Sequence, residues 1–170
     1  MSRATRFAAL ALVGAAACGN NTTVMDMATN TNKDMTVTTP PDMTFVPPTF
    51  AVPSGCTPTT GVTASMFYAN IITTNCAVSG CHVAGATPPN YAGGAASFIA
   101  NVKNVSAGRA AVQAMQYIKP NDYNNSFLLY KIAGQQDKVP SGGGQMPQGR
   151  APLSAADQCT LISWVNSGAN

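Results

Sequence analysis

Two cysteines and the only histidine of the chain stand together in N-C-A-V-S-G-C-H-V (residues 75–83), as Cys76, Cys81 and His82. Two thiols followed directly by an imidazole can do three kinds of chemistry. They can close a small disulfide loop that leaves His82 an ordinary surface residue. They can contribute to a zinc site, which with one histidine would have to recruit Cys56 or Cys159 from elsewhere. Or they can attach a haem, for which the sequence signal is C-x-x-C-H. In that chemistry each thiol adds to a vinyl group and the adjacent histidine is held beneath the iron as an axial ligand. The spacing here is C-x4-C-H, and Ser79 and Gly80 allow Ala77–Gly80 to loop out. The histidine keeps its place directly after the second cysteine.

A haem in an electron carrier wants a second axial ligand, and with no other histidine a thioether is the candidate. Met66, Met115 and Met146 are the methionines beyond residue 56. Met146 sits in G-G-G-Q-M-P-Q-G, where glycines let a backbone come close to a flat cofactor and Pro147 stiffens the turn. A loop methionine is also a common gap filler. Met115, in V-Q-A-M-Q-Y-I, is better explained by packing.

The elements that must hold these residues are helices and loops. Thr63 or Ser65 can cap a helix that sets Met66, Phe67, Asn70, Ile71 and Thr74 on one face. Residues 83–94, rich in Gly and Pro, predict an irregular wrap. Short helices are expected over Ala95–Asn101 and over Ser126–Ala133, the latter with alternating wet and dry faces. Asp137–Pro152 reads as a loop. The last helix is the clearest: Ser154 caps it with Asp157 three residues on, Ala155, Cys159, Ile162 and Val165 form its stripe, and Gly168 ends it. No alternating strand pattern stands out, so the fold class is mainly α.

The chain has 170 residues, room for one domain with a core. Charged residues are 9% and aromatic residues 7%. Beyond residue 18, seven Lys/Arg face six Asp, a net +1, which argues against nucleic acid as a partner. Arg3 and Arg6 precede an apolar run too short for a permanent membrane span, so residues 1–17 read as an export signal. Export places the protein where disulfides are permitted. Residues 18–55 hold Asp26-Met27, Asp34-Met35 and Asp42-Met43 at eight-residue spacing, with Pro40, Pro41, Pro47, Pro48 and Pro53. Such a stretch buries no face and reads as a disordered tether. A thioether metal array is the sharper alternative. The domain then covers residues 56–170.

Two resemblances add to this reading. The run ending in Ala15-Ala16-Ala17-Cys18 resembles the lipobox of bacterial lipoproteins, which implies lipidation of Cys18. An ordinary secretory signal cleaved after Ala17 is the alternative. The order of helix, C-H, irregular wrap, S-F-L-L-Y-K-I, Met-Pro and L-S-A-A-D-Q-C-T-L-I-S-W-V-N-S-G-A over residues 60–169 resembles a class I cytochrome c domain. More narrowly, it is similar to the single-haem domains of exported myxobacterial and planctomycete lipoproteins. The resemblance implies a small helical domain wrapped around one covalent haem c. Cys76 and Cys81 would carry the thioethers, with His82 the proximal and Met146 the distal iron ligand. It also implies crossed first and last helices, with Phe67 against Trp164 or its neighbours, and leaves Cys56 and Cys159 to pair.

The function so implied is a one-electron carrier between redox proteins of the cell envelope, anchored by lipid, more in keeping with the outer membrane or periplasmic face than the inner membrane. The alternatives are a haem-free, disulfide-stapled envelope lipoprotein with a structural or adhesive role, and a peroxidase-type enzyme, for which only Arg150 lies near the Met146 loop. Growth on labelled palmitate should label the wild-type protein, and Cys18→Ser should lose the label and leave the membrane fraction. A soluble wild type with a free amine on Cys18 would show simple cleavage instead.

Overall fold

The structure, a computed structural model, describes residues 46, 48–108, 115–140 and 142–170. The expected export signal, Cys18, the Asp-Met repeats and the tether through residue 45 lie outside the described residues. The helices are α1 (Ala64–Phe67), a π-helical turn (Tyr68–Ile72), α2 (Thr73–Asn75), α3 (Ala95–Val102), α4 (Phe127–Ile132) and α5 (Ala155–Asn166). Short 3-10 turns cover Tyr123–Asn125 and Gln136–Lys138. Among the described residues there is no strand, only isolated bridges pairing Lys103 with Ile118 and Gln116 with Ser106 and Ser126. The fold is helical, in keeping with the expected class.

α5 is the central element. Ser154 caps it as its sequence predicts: its Oγ accepts the Asp157 amide at 3.1 Å and donates to the Asp157 carboxylate at 2.8 Å. At the other end Gly168, at φ 85°, lets the Ala169 amide reach the Trp164 carbonyl and its own amide reach that of Val165. That is a Schellman ending. The expected stripe is only partly right, because Ala155 is exposed and the five consecutive residues Leu161–Val165 are all buried. A helix end buried all round has partners on every side. Phe67 meets the Trp164 ring edge-on at 5.3 Å and Phe98 lies 5.5 Å from it, so the helical run from α1 and α3 both close on α5.

The first helix departs from its expected face. Thr63 stands at the cap position without a side-chain bond, and the Ala64 amide instead donates to the Asn170 carbonyl at 2.9 Å. Met66 is 65% exposed, and the buried residues are Ala64, Phe67, Ile71 and Ile72. Phe67 and Ile71 keep their expected burial, and the wider spacing of the π turn brings Ile72 in beside Ile71 in place of Asn70. The Thr73 amide and hydroxyl both reach back to the Tyr68 carbonyl.

α4 also differs from expectation, since all six of its residues are buried rather than half of them. It is covered from several sides. Its first amides bond to the carbonyls of Gln116 and Tyr117, and Met146 and Leu153 donate to the carbonyls of Lys131 and Ile132. The chain ahead of Cys56 supplies another cover. Phe50 is buried against Tyr130 and Tyr123, the Tyr130 hydroxyl donates to the Pro48 carbonyl, and Gln135 exchanges two hydrogen bonds with the Ala51 backbone. Residues 48–55 thus belong to the packed body, eight residues ahead of where the tether was expected to end.

Cys56 and Cys159 are disulfide-bonded, 103 residues apart in sequence, as expected. Thr59 and Val62 amides donate to the hydroxyls of Ser163 and Ser167, so the segment after Cys56 lies along α5. Closing so long a loop is worth about 4–5 kcal/mol in the chain-entropy account. Cys56→Ala with Cys159→Ala should lower unfolding stability in urea by up to that amount. A loss within experimental error would show that the bridge contributes nothing to the folded body.

Candidate functional site

The helical run ends where the Ile72 carbonyl accepts two successive amides, Cys76 at 2.9 Å and Ala77 at 2.8 Å. The chain then leaves the helix, turns through the Cys81 amide on the Val78 carbonyl, and needs Gly80 at φ 79° to do so. The His82 amide returns to the Cys76 carbonyl at 3.1 Å, closing the loop with Ala77–Gly80 bulged outward. Two further ties hold the wrap beyond it: Thr87 donates to the Cys81 carbonyl, and Tyr91 donates to that of His82.

These ties fix the histidine. Its Nδ1 lies 3.0 Å from the Pro89 carbonyl oxygen and 3.1 Å from that of Thr87. Carbonyl oxygens only accept, so Nδ1 carries the proton and Nε2 of the neutral ring keeps its lone pair. The ring stacks on Tyr91 at 4.5 Å, and Tyr91 is buried against Phe98. Tyr68, on the π turn, clamps the end of the wrap: its hydroxyl donates to the Tyr91 carbonyl at 2.9 Å and accepts from Gly94 at 3.0 Å. Burial lowers the His82 pKa below the ordinary imidazole value. The two carbonyl bonds act against that shift, and the Lys131 ammonium adds to it.

The two cysteines differ. Cys76 is a free thiol, 8% exposed, and burial pushes its pKa up to about 12. Cys81 is half-buried and disulfide-bonded. They are therefore not joined to each other, and the small local disulfide is not the arrangement adopted.

Met146 is half-buried beside α4, with its amide on the Lys131 carbonyl at 3.0 Å. Lys131 is the residue that sequence reasoning missed. It lies inside an apolar helix, 7% exposed, with its ammonium 5.7 Å above the Phe127 ring. The ammonium donates to the Gly142 carbonyl at 2.9 Å and to the Gly144 carbonyl. A Cβ at Gly142 would sit 2.3 Å from the Gln136 carbonyl oxygen, so the close approach that the glycines permit here is to the chain's own backbone. The one signal in the sequence was a single charge in F-L-L-Y-K-I. Met115 is fully buried, a packing residue, and Arg150 is exposed.

Among the described residues no group of three or more His, Cys, Asp or Glu could hold a metal ion. This corrects the expectation of metal binding, iron and haem as features of the folded chain by itself: the described side chains assemble no metal centre, zinc included. No helix among the described residues is long and apolar enough to cross a membrane. Comparisons with protein-family models, with curated proteins and with solved structures return no match.

The His82 environment sets a pH dependence. A folded pKa below the unfolded one means stability is fully present above the ordinary imidazole range and is lost as pH falls through it, because the unfolded chain takes up the proton first. Melting temperature should therefore fall between about pH 7.5 and about pH 5. His82→Gln should flatten that fall, since His82 is the chain's only histidine. An unchanged slope would place the titrating group elsewhere.

Proposed function

We propose that the chain is a single-haem c-type electron carrier of the cell envelope, its porphyrin brought by covalent attachment rather than gathered by a metal-binding cluster. A porphyrin arrives with its metal already held and asks the protein only for side chains on its two faces, a smaller demand than a free metal ion makes. The observation that carries the reading is the orientation of His82. With Nδ1 donating to the Pro89 and Thr87 carbonyls, Nε2 is the nitrogen left to coordinate, and the second contact of an axial histidine is already made. When bound, the group would supply reversible one-electron chemistry.

The chain's own residues have separable parts in this reading. Cys76 and Cys81 are the attachment thiols, and a dithiol reductant of the envelope must first supply the two electrons and two protons that free Cys81 from its disulfide. Tyr91 keeps the His82 ring from turning. Met146 would hold the group from the side opposite His82, which would leave no position for substrate and favours a carrier over an enzyme. Export, lipidation of Cys18 and placement at the outer membrane or periplasmic face, with redox proteins as partners, complete the proposal. The second reading, a haem-free stapled envelope lipoprotein of structural or adhesive role, is favoured by one observation: the Cys56–Cys159 bridge closes the body.

Expression in a host with working cytochrome c maturation separates the two. Under the carrier reading, denatured protein keeps its visible spectrum after acid–acetone extraction, and Cys76→Ala with Cys81→Ala abolishes it. Met146→Ala should remove the weak near-infrared band of a thioether on ferric haem and open the site to carbon monoxide. A colourless product with Cys81 still in disulfide linkage would leave the stapled lipoprotein as the function. Rapid carbon monoxide binding by the wild type would instead remove Met146 from the axial position.

A further inference from the structure

We propose that Lys131 is the positioning residue of the Met146 loop, clamping residues 142–146 onto α4. The inference rests on the single-haem reading for its purpose, though not for its geometry. Lys131 holds the loop by both its backbone and its side chain. Its carbonyl accepts the Met146 amide at 3.0 Å, and its ammonium donates to the carbonyls of Gly142 and Gly144. The loop is thus gripped at its start, middle and methionine by a single residue.

The cost of the arrangement says that the charge has a task. A lysine that is only 7% exposed loses hydration that hydrogen bonds and nearby electrons must replace, and a Met or Leu at the same place on α4 would fill the space without that loss. Two carbonyl oxygens and the face of Phe127 offset it here. The packing around the loop is built for this grip. Gly142 admits no side chain against the Gln136 carbonyl, and a Cβ at Gly134 would sit 3.0 Å from the Pro152 ring. The Gln145 side chain donates to the Arg150 carbonyl at 2.7 Å, bracing the turn around Met146 from its far end. One residue therefore fixes the backbone of the loop that carries Met146 at both ends of residues 142–146.

Three variants test this: Lys131→Met, which keeps the bulk, Lys131→Arg, which keeps a charge with several donors, and Gly142→Ala, which displaces the same loop without touching the ammonium. In the haem-free protein, amide exchange at Met146 should accelerate about ten- to a hundredfold in Lys131→Met, the size expected on losing a hydrogen bond to a charged group. It should accelerate likewise in Gly142→Ala and stay near wild type in Lys131→Arg, while amides of α5 stay unchanged as the control for folding. In the haem-loaded protein, Lys131→Met should weaken the near-infrared thioether band and lower the reduction potential, and Lys131→Arg should restore both. Unchanged exchange at Met146 in Lys131→Met overturns the clamp, whatever the haem content. A colourless wild type removes the single-haem reading and leaves the exchange result to decide the clamp alone. Faster exchange with an unaltered near-infrared band overturns the positioning role.

Discussion

The indole of Trp164 is the contact on which the rest of this small body depends. It is fully buried, touched by Phe67 from the first helical run and by Phe98 from α3. Its N–H donates to the Asn170 carbonyl, the same oxygen that accepts the first amide of α1. One side chain thus brings three helices together, and one oxygen satisfies two donors that burial would otherwise leave unmatched. The helices are too short to stand alone, so their order comes from this packing and not from propensity.

From that centre the geometry propagates outward to the histidine. With α1 fixed against α5, the π turn that follows points Tyr68 away from the core helix and onto the wrap. Tyr68 holds the backbone at Tyr91, whose ring supports His82, and the wrap presents two carbonyls to one ring nitrogen. Each step exchanges a polar group for a partner and a ring for a ring. The site is a rigid extension of the core, and its orientation is decided several residues before the cysteines are reached.

How much of this was legible in the sequence follows from how local each cause is. The α5 helix could be read outright, because a serine cap, an acid three residues on and a glycine stop act within a few residues. The bulged Ala77–Gly80 loop was legible for the same reason. The Phe67–Trp164 contact and the Cys56–Cys159 pairing came from a likeness of order along the chain, and no local pattern implies them. What failed was non-local. Ile72 took the place of Asn70 on the buried face of the first helix because a π turn adds a residue, which a 3.6-residue period does not contain. α4 lost its wet face because three separate segments cover it. Lys131 was invisible because its partners are carbonyls, which every residue carries. Phe50 lay inside a stretch whose prolines and threonines suggested no structure, and a single aromatic residue outweighed them once Tyr123 and Tyr130 formed a place for it.

The disulfide has a mechanical consequence. A pull on the chain from its N-terminal side first meets residues 48–55, held by one aromatic ring and a few hydrogen bonds that can peel one at a time. At Cys56 the load crosses a covalent bond into Cys159, in the first half of α5. The chain between the two cysteines, with the helical run, the cysteine loop and the wrap that seats His82, is bypassed. Force is delivered to the element with the best caps and the deepest core contacts. The histidine and its carbonyls lie inside the closed loop, so load that enters through Cys56 reaches α5 without crossing the ring between Tyr91 and Pro89.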